Sequence, residues 1–200
     1  LQWWRAEIDR LINRSAQHPA TQVVQAALPK ADFSILHELL VSADMDVARM
    51  TYDNAKELSA YLERSGGTIL EALTGNREYA GRAGTFIRRV ETLRDLAVDS
   101  RAGRVYWALD DLERHQVSVE SLSTGTPPPS FNELIAAEIA NLRTQFAGLH
   151  PTSRPIHVLS ALHYKLLNTM ERAKYDVFAQ RHELGPFEKS WTAWRAARKL

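Results

Sequence analysis

Apolar residues recur at three- and four-residue intervals along nearly the whole chain. No stretch alternates apolar and polar positions with the period of two that a half-buried strand requires. The spacing predicts helices over residues 1–14, 19–28, 33–42, 54–74, 77–99, 109–114, 130–148, 155–182 and 187–199. Pro19, Pro151, Pro155 and Pro186 fall at or near starts, and Gly75, Gly148 and Gly185 at or near ends, as their backbone preferences dictate. A break is expected at Gly66-Gly67 inside the fourth helix. The segment from Ser123 to Ser130, with Pro127-Pro128-Pro129, is the one clear loop of low complexity. It reads as a connection within one domain, because neither half has a core of its own. The expectation is an all-α, single-domain helical bundle spanning residues 1–200.

Composition narrows the function classes. A hydrophobic fraction of 44% over 200 residues suffices for one domain with a real core. A net charge of +1 and the absence of any Lys/Arg-rich run argue against a nucleic-acid partner. With no cysteine, disulfides, thiolate metal sites and cysteine nucleophiles are excluded. No run approaches the apolar length of a membrane span, so the expected setting is cytoplasmic, at most peripheral at a membrane. There is no Gly-x-Ser-x-Gly elbow, P-loop or dinucleotide fingerprint, and no histidine pair spaced for zinc. The seven histidines read as surface or capping residues.

The chemistry concentrates in helix 77–99. Ala83, Phe86, Val90, Leu93 and Ala97 make an apolar stripe, and Arg88, Glu91, Asp95 and Asp99 a polar one beside it. Acids at i and i+4 share a helix face, and such pairs are commonly just a solvated face. Here Arg94, Arg101 and Arg104 surround them. A row of Glu91, Asp95 and Asp99 repels itself unless a cation sits among the carboxylates. Mg2+ takes one or two carboxylates and fills its shell with water and phosphate oxygens. Arg94, Arg101 and Arg104 would then take the remaining phosphate oxygens in bidentate fashion. Tyr164 lies in an otherwise apolar helix, so its hydroxyl needs a partner if buried. The last helix carries Phe187, Trp191 and Trp194 among Lys189, Arg195, Arg198 and Lys199. Its tryptophans would either cap the end of the bundle or meet an anionic membrane surface.

The order of residues resembles the squalene and phytoene synthase family. The match runs through Arg88, Glu91, Arg94, Asp95, Val98 and Asp99, then Arg104-Val105-Tyr106-Trp107-Ala108. It extends to Trp4-Arg5 with Glu7, His18-Pro19, Asp46 with Arg49 and Tyr52, Tyr61 with Ser65-Gly66-Gly67-Thr68, Tyr164, and Tyr175-Asp176-Val177-Phe178 with Arg181. The resemblance implies an isoprenoid-synthase-like bundle around a central cavity. It implies a prenyltransferase that joins two isoprenyl diphosphates, such as farnesyl or geranylgeranyl diphosphate, head to head with Mg2+ assistance. Asp95, Asp99 and Glu91 would hold metal, and Arg94, Arg104, Tyr106, Tyr61, Ser65, Gly66 and Arg88 would contact substrate. Tyr164 would stand at the cavity wall as a catalytic group. For Gly66-Gly67 an ordinary helix kink and a ligand role are both open.

The chain departs from the family pattern at several places. Arg88 and Glu91 stand where the family has neutral amides, Val98 replaces an acid, Ala108 a proline, and Leu70 a glycine that leaves room in the prenyl tunnel. A shorter or blocked tunnel is therefore expected. The chain opens on Leu1 inside a helix, which suggests that an upstream segment with the family's first aspartate-rich motif is missing. The alternative is a non-catalytic relative that binds a prenyl lipid or a protein. Product length and oligomeric state are not legible.

Overall fold

A computed structural model describes residues 1–199. Its helices are α1 (Gln2–Ile12), α2 (Pro19–Ala27), α3 (Leu36–Val47), α4 (Ala55–Leu62), α5 (Thr68–Thr74), α6 (Arg77–Arg94) and α7 (Leu96–Arg101). There follow α8 (Leu109–Arg114), α9 (Val119–Thr124), α10 (Ser130–Ala147), α11 (Arg154–Arg172) and α12 (Pro186–Ala197). Among the described residues the only β-type pairing is an isolated bridge between Tyr52 and Ala108. The all-α single-domain expectation stands.

Helix α6 is the hub and packs against α5, α10 and α11. Its predicted apolar stripe is the buried one: Ala83, Phe86 and Val90 are inaccessible, and Leu93 and Ala97 nearly so. A fully buried side chain such as Phe86 contributes about 1.5–3 kcal/mol relative to exposure. A second, smaller cluster gathers Tyr52, Leu58, Tyr61, Leu62 and Tyr106.

The break predicted at Gly66-Gly67 is a π-helical turn, Glu63–Gly67, between α4 and α5. Its cause is a backbone-to-backbone crossing. A Cβ on Gly66 would lie 2.3 Å from the Gly84 carbonyl oxygen, and one on Gly84 would lie 2.4 Å from Gly66 C and Gly67 N. Only glycine on both helices lets this turn and α6 come so close.

Several elements differ from the sequence reading, and α3, expected over 33–42, runs Leu36–Val47. Helix 77–99 pauses at Asp95, which has φ −95° and ψ 7°. Its carbonyl accepts from the amides of both Val98 and Asp99 at 2.9 Å, which tightens one turn before α7 continues. The helix expected over 155–182 stops at Arg172, because Lys174 and Tyr175 adopt left-handed φ of 55° and 64°. The chain then runs as coil to α12, with Val177 buried as an anchor. Helix α9 was not expected; the Ser118 side chain caps it by accepting from the Ser121 amide at 3.1 Å.

One buried carboxylate fixes the first two helices. Glu7 accepts from the amides of Gln17 at 2.9 Å and His18 at 2.8 Å, from Arg10 Nε at 2.8 Å, and from the Thr21 hydroxyl. These bonds hold its carboxyl well below the usual range, at about 2, with the Thr21 hydroxyl the largest contributor. The same bonds orient α1, whose inner face walls a cavity.

Candidate functional site

The cavity has a volume of about 720 Å3. Its wall is mostly apolar, with Ile8, Leu40, Ile69, Leu70, Ile87 and Leu159 drawn from five helices. Leu70 lines this space without abolishing it. The volume is in the range of pockets that bury most of a small ligand.

Thr21, Ser42, Asp46, Ser65, Arg88 and Glu91 form the polar part of the wall. The Asp46 Oδ1 atom accepts hydrogen bonds from the hydroxyls of Tyr61 and Tyr106, each at 2.7 Å. Arg88 Nη2 donates to the Tyr61 hydroxyl at 3.0 Å, and the Tyr61 and Tyr106 rings stack with centroids 5.3 Å apart. Burial is the main reason both tyrosine hydroxyls are pushed well above their ordinary pKa, so both stay protonated and donate. Arg88 Nε is buried without a partner among the described residues, an N–H left over for a ligand oxygen. Tyr106 is carried into this network from a loop. The bridge at Ala108 and the Leu109 amide, which donates to the Tyr52 carbonyl at 2.8 Å, pin that loop. Arg89, buried, donates to the Tyr106 carbonyl, pairs with Glu138 at 2.6 Å and lies 4.4 Å over the Trp107 ring.

Helix α6 continues from this wall to the aspartates, Asp95 lying one turn beyond Glu91, about 6 Å along the axis. Asp95 Oδ1 accepts from Arg94 Nε at 3.0 Å and from Arg181 Nε at 2.6 Å. Burial works to raise the Asp95 carboxyl, and the two guanidinium groups outweigh it and hold it below its ordinary value. Among the described residues Asp99 has one ion-pair partner, Arg104 Nε at 3.3 Å. Burial first, with help from the Asp95 charge, leaves the Asp99 carboxyl above its ordinary value despite that partner. Glu91 meets Arg88 at 3.6 Å and His163 at 3.4 Å. Burial opposes its charge, but the His163 bond and the arginines win and hold it low.

Among the described residues no three His, Cys, Asp or Glu side chains converge as a metal-holding cluster. Glu91, Asp95 and Asp99 thus do not form the three-carboxylate site expected of their spacing. The pair Asp95 and Asp99 remains, and two carboxylates are enough for a magnesium ion that shares its shell with phosphate oxygens. The donor set fits an ion arriving with a diphosphate rather than one held by protein alone.

The structure brings Tyr61, Ser65, Gly66, Arg88, Glu91 and Tyr106 to the cavity or its network, and Arg94, Asp95, Asp99 and Arg104 to one acid–guanidinium rim. Gly66 is a crossing glycine at the helix break and also lines the cavity wall. Tyr164 is not in the cavity wall: its ring stacks on Phe146 at 4.2 Å against the main core. The neighbouring His163, read as surface or cap, is the residue that reaches Glu91. Two further residues belong to the site, Asp46 and Arg181. Both stood in the matched segments, but spacing alone gave neither a role.

The bundle thus holds an apolar cavity walled in part by α6, and the same helix runs on past the cavity to two aspartates paired with arginines. The family model described as squalene/phytoene synthase matches residues 1–188, and the chain belongs to that family. It is 26% identical to a phytoene synthase of Arthrospira platensis over 223 aligned residues, covering 94% of this chain and 71% of that one. It is 27% identical over 178 residues to a 15-cis-phytoene synthase of Synechocystis, covering 75% and 53%. The chain thus spans about half the length of the second relative. In fold it is similar to a dehydrosqualene synthase solved with ligand, at a TM-score of 0.86 and 13% identity, covering 99% of this chain and 77% of the other. A squalene synthase of Alicyclobacillus acidocaldarius gives 0.74 and 18%, covering 87% and 73%.

Proposed function

We propose that this chain is a prenyltransferase that condenses two isoprenyl diphosphates, such as farnesyl or geranylgeranyl diphosphate, head to head with magnesium-assisted loss of diphosphate. The observation that carries the reading is the continuity along α6, from the wall of an apolar cavity at Ile87 to Asp95 and, through α7, Asp99. The cavity takes the hydrocarbon and excludes water from a developing allylic cation. The substrate diphosphate competes for Arg94, Arg104 and Arg181, which are spent on the aspartates in its absence. Asp95 and Asp99 would hold Mg2+, which when bound supplies Lewis-acid neutralisation of the leaving diphosphate. At the other end, the Asp46 carboxylate in the cavity wall offers negative potential to positive charge on the prenyl chain. Arg88 would contact a diphosphate oxygen through its spare Nε–H.

A second reading has one observation in its favour: Asp95 is already neutralised by the guanidinium groups of Arg94 and Arg181, as in a relative that binds a prenyl lipid without turnover. Thermal melting with Mg2+, an unreactive thio-analogue of farnesyl diphosphate, both, or neither separates the two. A ligand of the folded state raises the midpoint by mass action. A rise that needs both and disappears in Asp99→Asn supports prenyl transfer. A rise with the analogue alone supports the lipid binder, and no rise removes both.

A further inference from the structure

The aromatic row on α12 takes no part in this site. Phe187, Trp191 and Trp194 stand at i, i+4 and i+7 and are 79%, 49% and 49% exposed. Their rings stack in a ladder, with centroids 6.4 Å apart between Phe187 and Trp191 and 5.0 Å between Trp191 and Trp194. The helix seals itself to α11 with its other side, where Ala196 is buried. The tryptophans therefore do not cap the bundle, which overturns that reading of the sequence.

Charge selects what covers the ladder. Arg198 extends the row by one more turn, its guanidinium 4.7 Å from the Trp194 ring centroid. Arg195 and Lys199 flank it, both exposed. The only acid of the helix, Glu188, is engaged by Lys165 at 3.3 Å. Stacked aromatic rings bordered by cations with no ion-pair partner among the described residues match the boundary of a bilayer, where the rings sit at headgroup depth and the cations meet anionic lipid. A smaller cavity of about 220 Å3 lies next to this helix, walled by Leu162, Leu184 and Lys189 and sharing Leu159 with the main cavity.

We propose that the Phe187–Trp191–Trp194 face of α12 docks reversibly on a membrane surface containing anionic lipid. The docking stands independently of prenyl transfer.

The test is co-sedimentation of the full chain with vesicles of phosphatidylcholine alone or mixed with phosphatidylglycerol. The expected result is binding to the anionic vesicles only, weakened by salt as exposed charges are screened. Trp191→Ala/Trp194→Ala lowers the partition coefficient at least about tenfold, and Arg195→Gln/Arg198→Gln lowers it about twenty-five-fold, roughly fivefold per cation. Circular dichroism confirms that these surface variants fold. Trp3→Ala/Trp4→Ala and Asp99→Asn bind as the parent does, so a failure of the prenyl-transfer reading leaves this result intact. The proposal is overturned if the parent chain ignores anionic vesicles, or if the Trp3/Trp4 variant loses binding equally. It is also overturned if light scattering finds a dimer that Trp191→Ala/Trp194→Ala dissolves, or if iodide cannot quench the ladder in the product of the full gene, which would mean another segment covers it.

Discussion

Gly84→Ala is a single methyl placed where two backbones touch. The new Cβ would sit 2.4 Å from Gly66 C and Gly67 N and 2.5 Å from Gly67 Cα. Ordinary carbon contacts lie near 3.5–4.0 Å, so the π-helical turn and α6 must separate by about 1 Å. No rotamer change can absorb this, because the atoms met are main chain. Overpacking of this kind costs about 1–3 kcal/mol or more, and alanine in a helix interior returns about 1 kcal/mol. The clash is rigid, so the top of the range applies and the net loss is at least about 2 kcal/mol. For a domain of this size that lowers the melting temperature by roughly 4–8 °C or more. Gly81→Ala, one turn earlier on α6, is the control: its Cβ first meets the flexible Glu63 Oε1 at 3.3 Å. It is expected to be neutral or to stabilise by up to about 1 kcal/mol. Urea unfolding followed by far-ultraviolet circular dichroism, with m-values compared, measures both. The Gly84 variant should also lose analogue binding, since Gly66 and Ile87 are cavity wall. A Gly84→Ala chain within about 0.5 kcal/mol of the parent, or a Gly81→Ala chain equally damaged, would falsify the crossing argument.

Glu7 predicts an acid-sensitive fold. Its folded-state pKa of about 2 lies below the ordinary 4.5, so its stabilisation is present above pH 4.5 and is lost as pH falls towards 2. Glu7→Gln should melt lower than the parent at pH 7 and show a flatter profile through that window in pH-dependent thermal melts. Asp99 has the opposite sign: its raised carboxyl makes ionisation unfavourable to the fold, so stability falls as pH rises through the range just above 3.8. Asp99→Asn is therefore expected to melt at or above the parent temperature at pH 7. An appreciable drop would show that Asp99 is a structural ion-pair partner rather than a group awaiting a cation. Tyr106→Phe removes a buried bond to a carboxylate and should cost about 1.5–3 kcal/mol in urea unfolding; a cost near zero would place the Asp46 hub under solvent.

What the sequence made legible is what periodicity encodes. The two stripes of α6 follow from spacing alone, and Phe86 and Val90 are buried while Arg88 and Glu91 line the cavity. Contacts between distant segments carry no such signal. Asp46 joins Tyr61 and Tyr106, which lie 15 and 60 residues away, and nothing in the pattern of α3 marks it as their shared acceptor. Arg181 reaches Asp95 across 86 residues because the chain leaves the helix at Lys174 and Tyr175. Neither residue is a glycine or asparagine that would have flagged a left-handed turn. Tyr164 shows how narrow the margin is. One residue is about 100° of helix rotation, enough to turn His163 toward Glu91 and Tyr164 onto Phe146.

The ion pairs on the aspartates look at first like evidence against a ligand, and their energetics argue otherwise. Arg181 and Arg104 are 45% and 36% exposed, and their partners Asp95 and Asp99 25% and 18%. Pairs this open to water are worth about 0–1 kcal/mol each. Separating them is cheap, whereas a diphosphate offers each guanidinium the shorter, bidentate bonds that arginine makes best. Exchange is favourable only if something replaces the lost positive charge beside two carboxylates one turn apart. Asp99, with one long contact to Arg104 and a carboxyl pushed upward, already lacks that charge. Anion and divalent cation should therefore bind together, each making room for the other, so their binding should be cooperative at this rim. Additive binding would show that the guanidinium groups and carboxylates do not exchange partners.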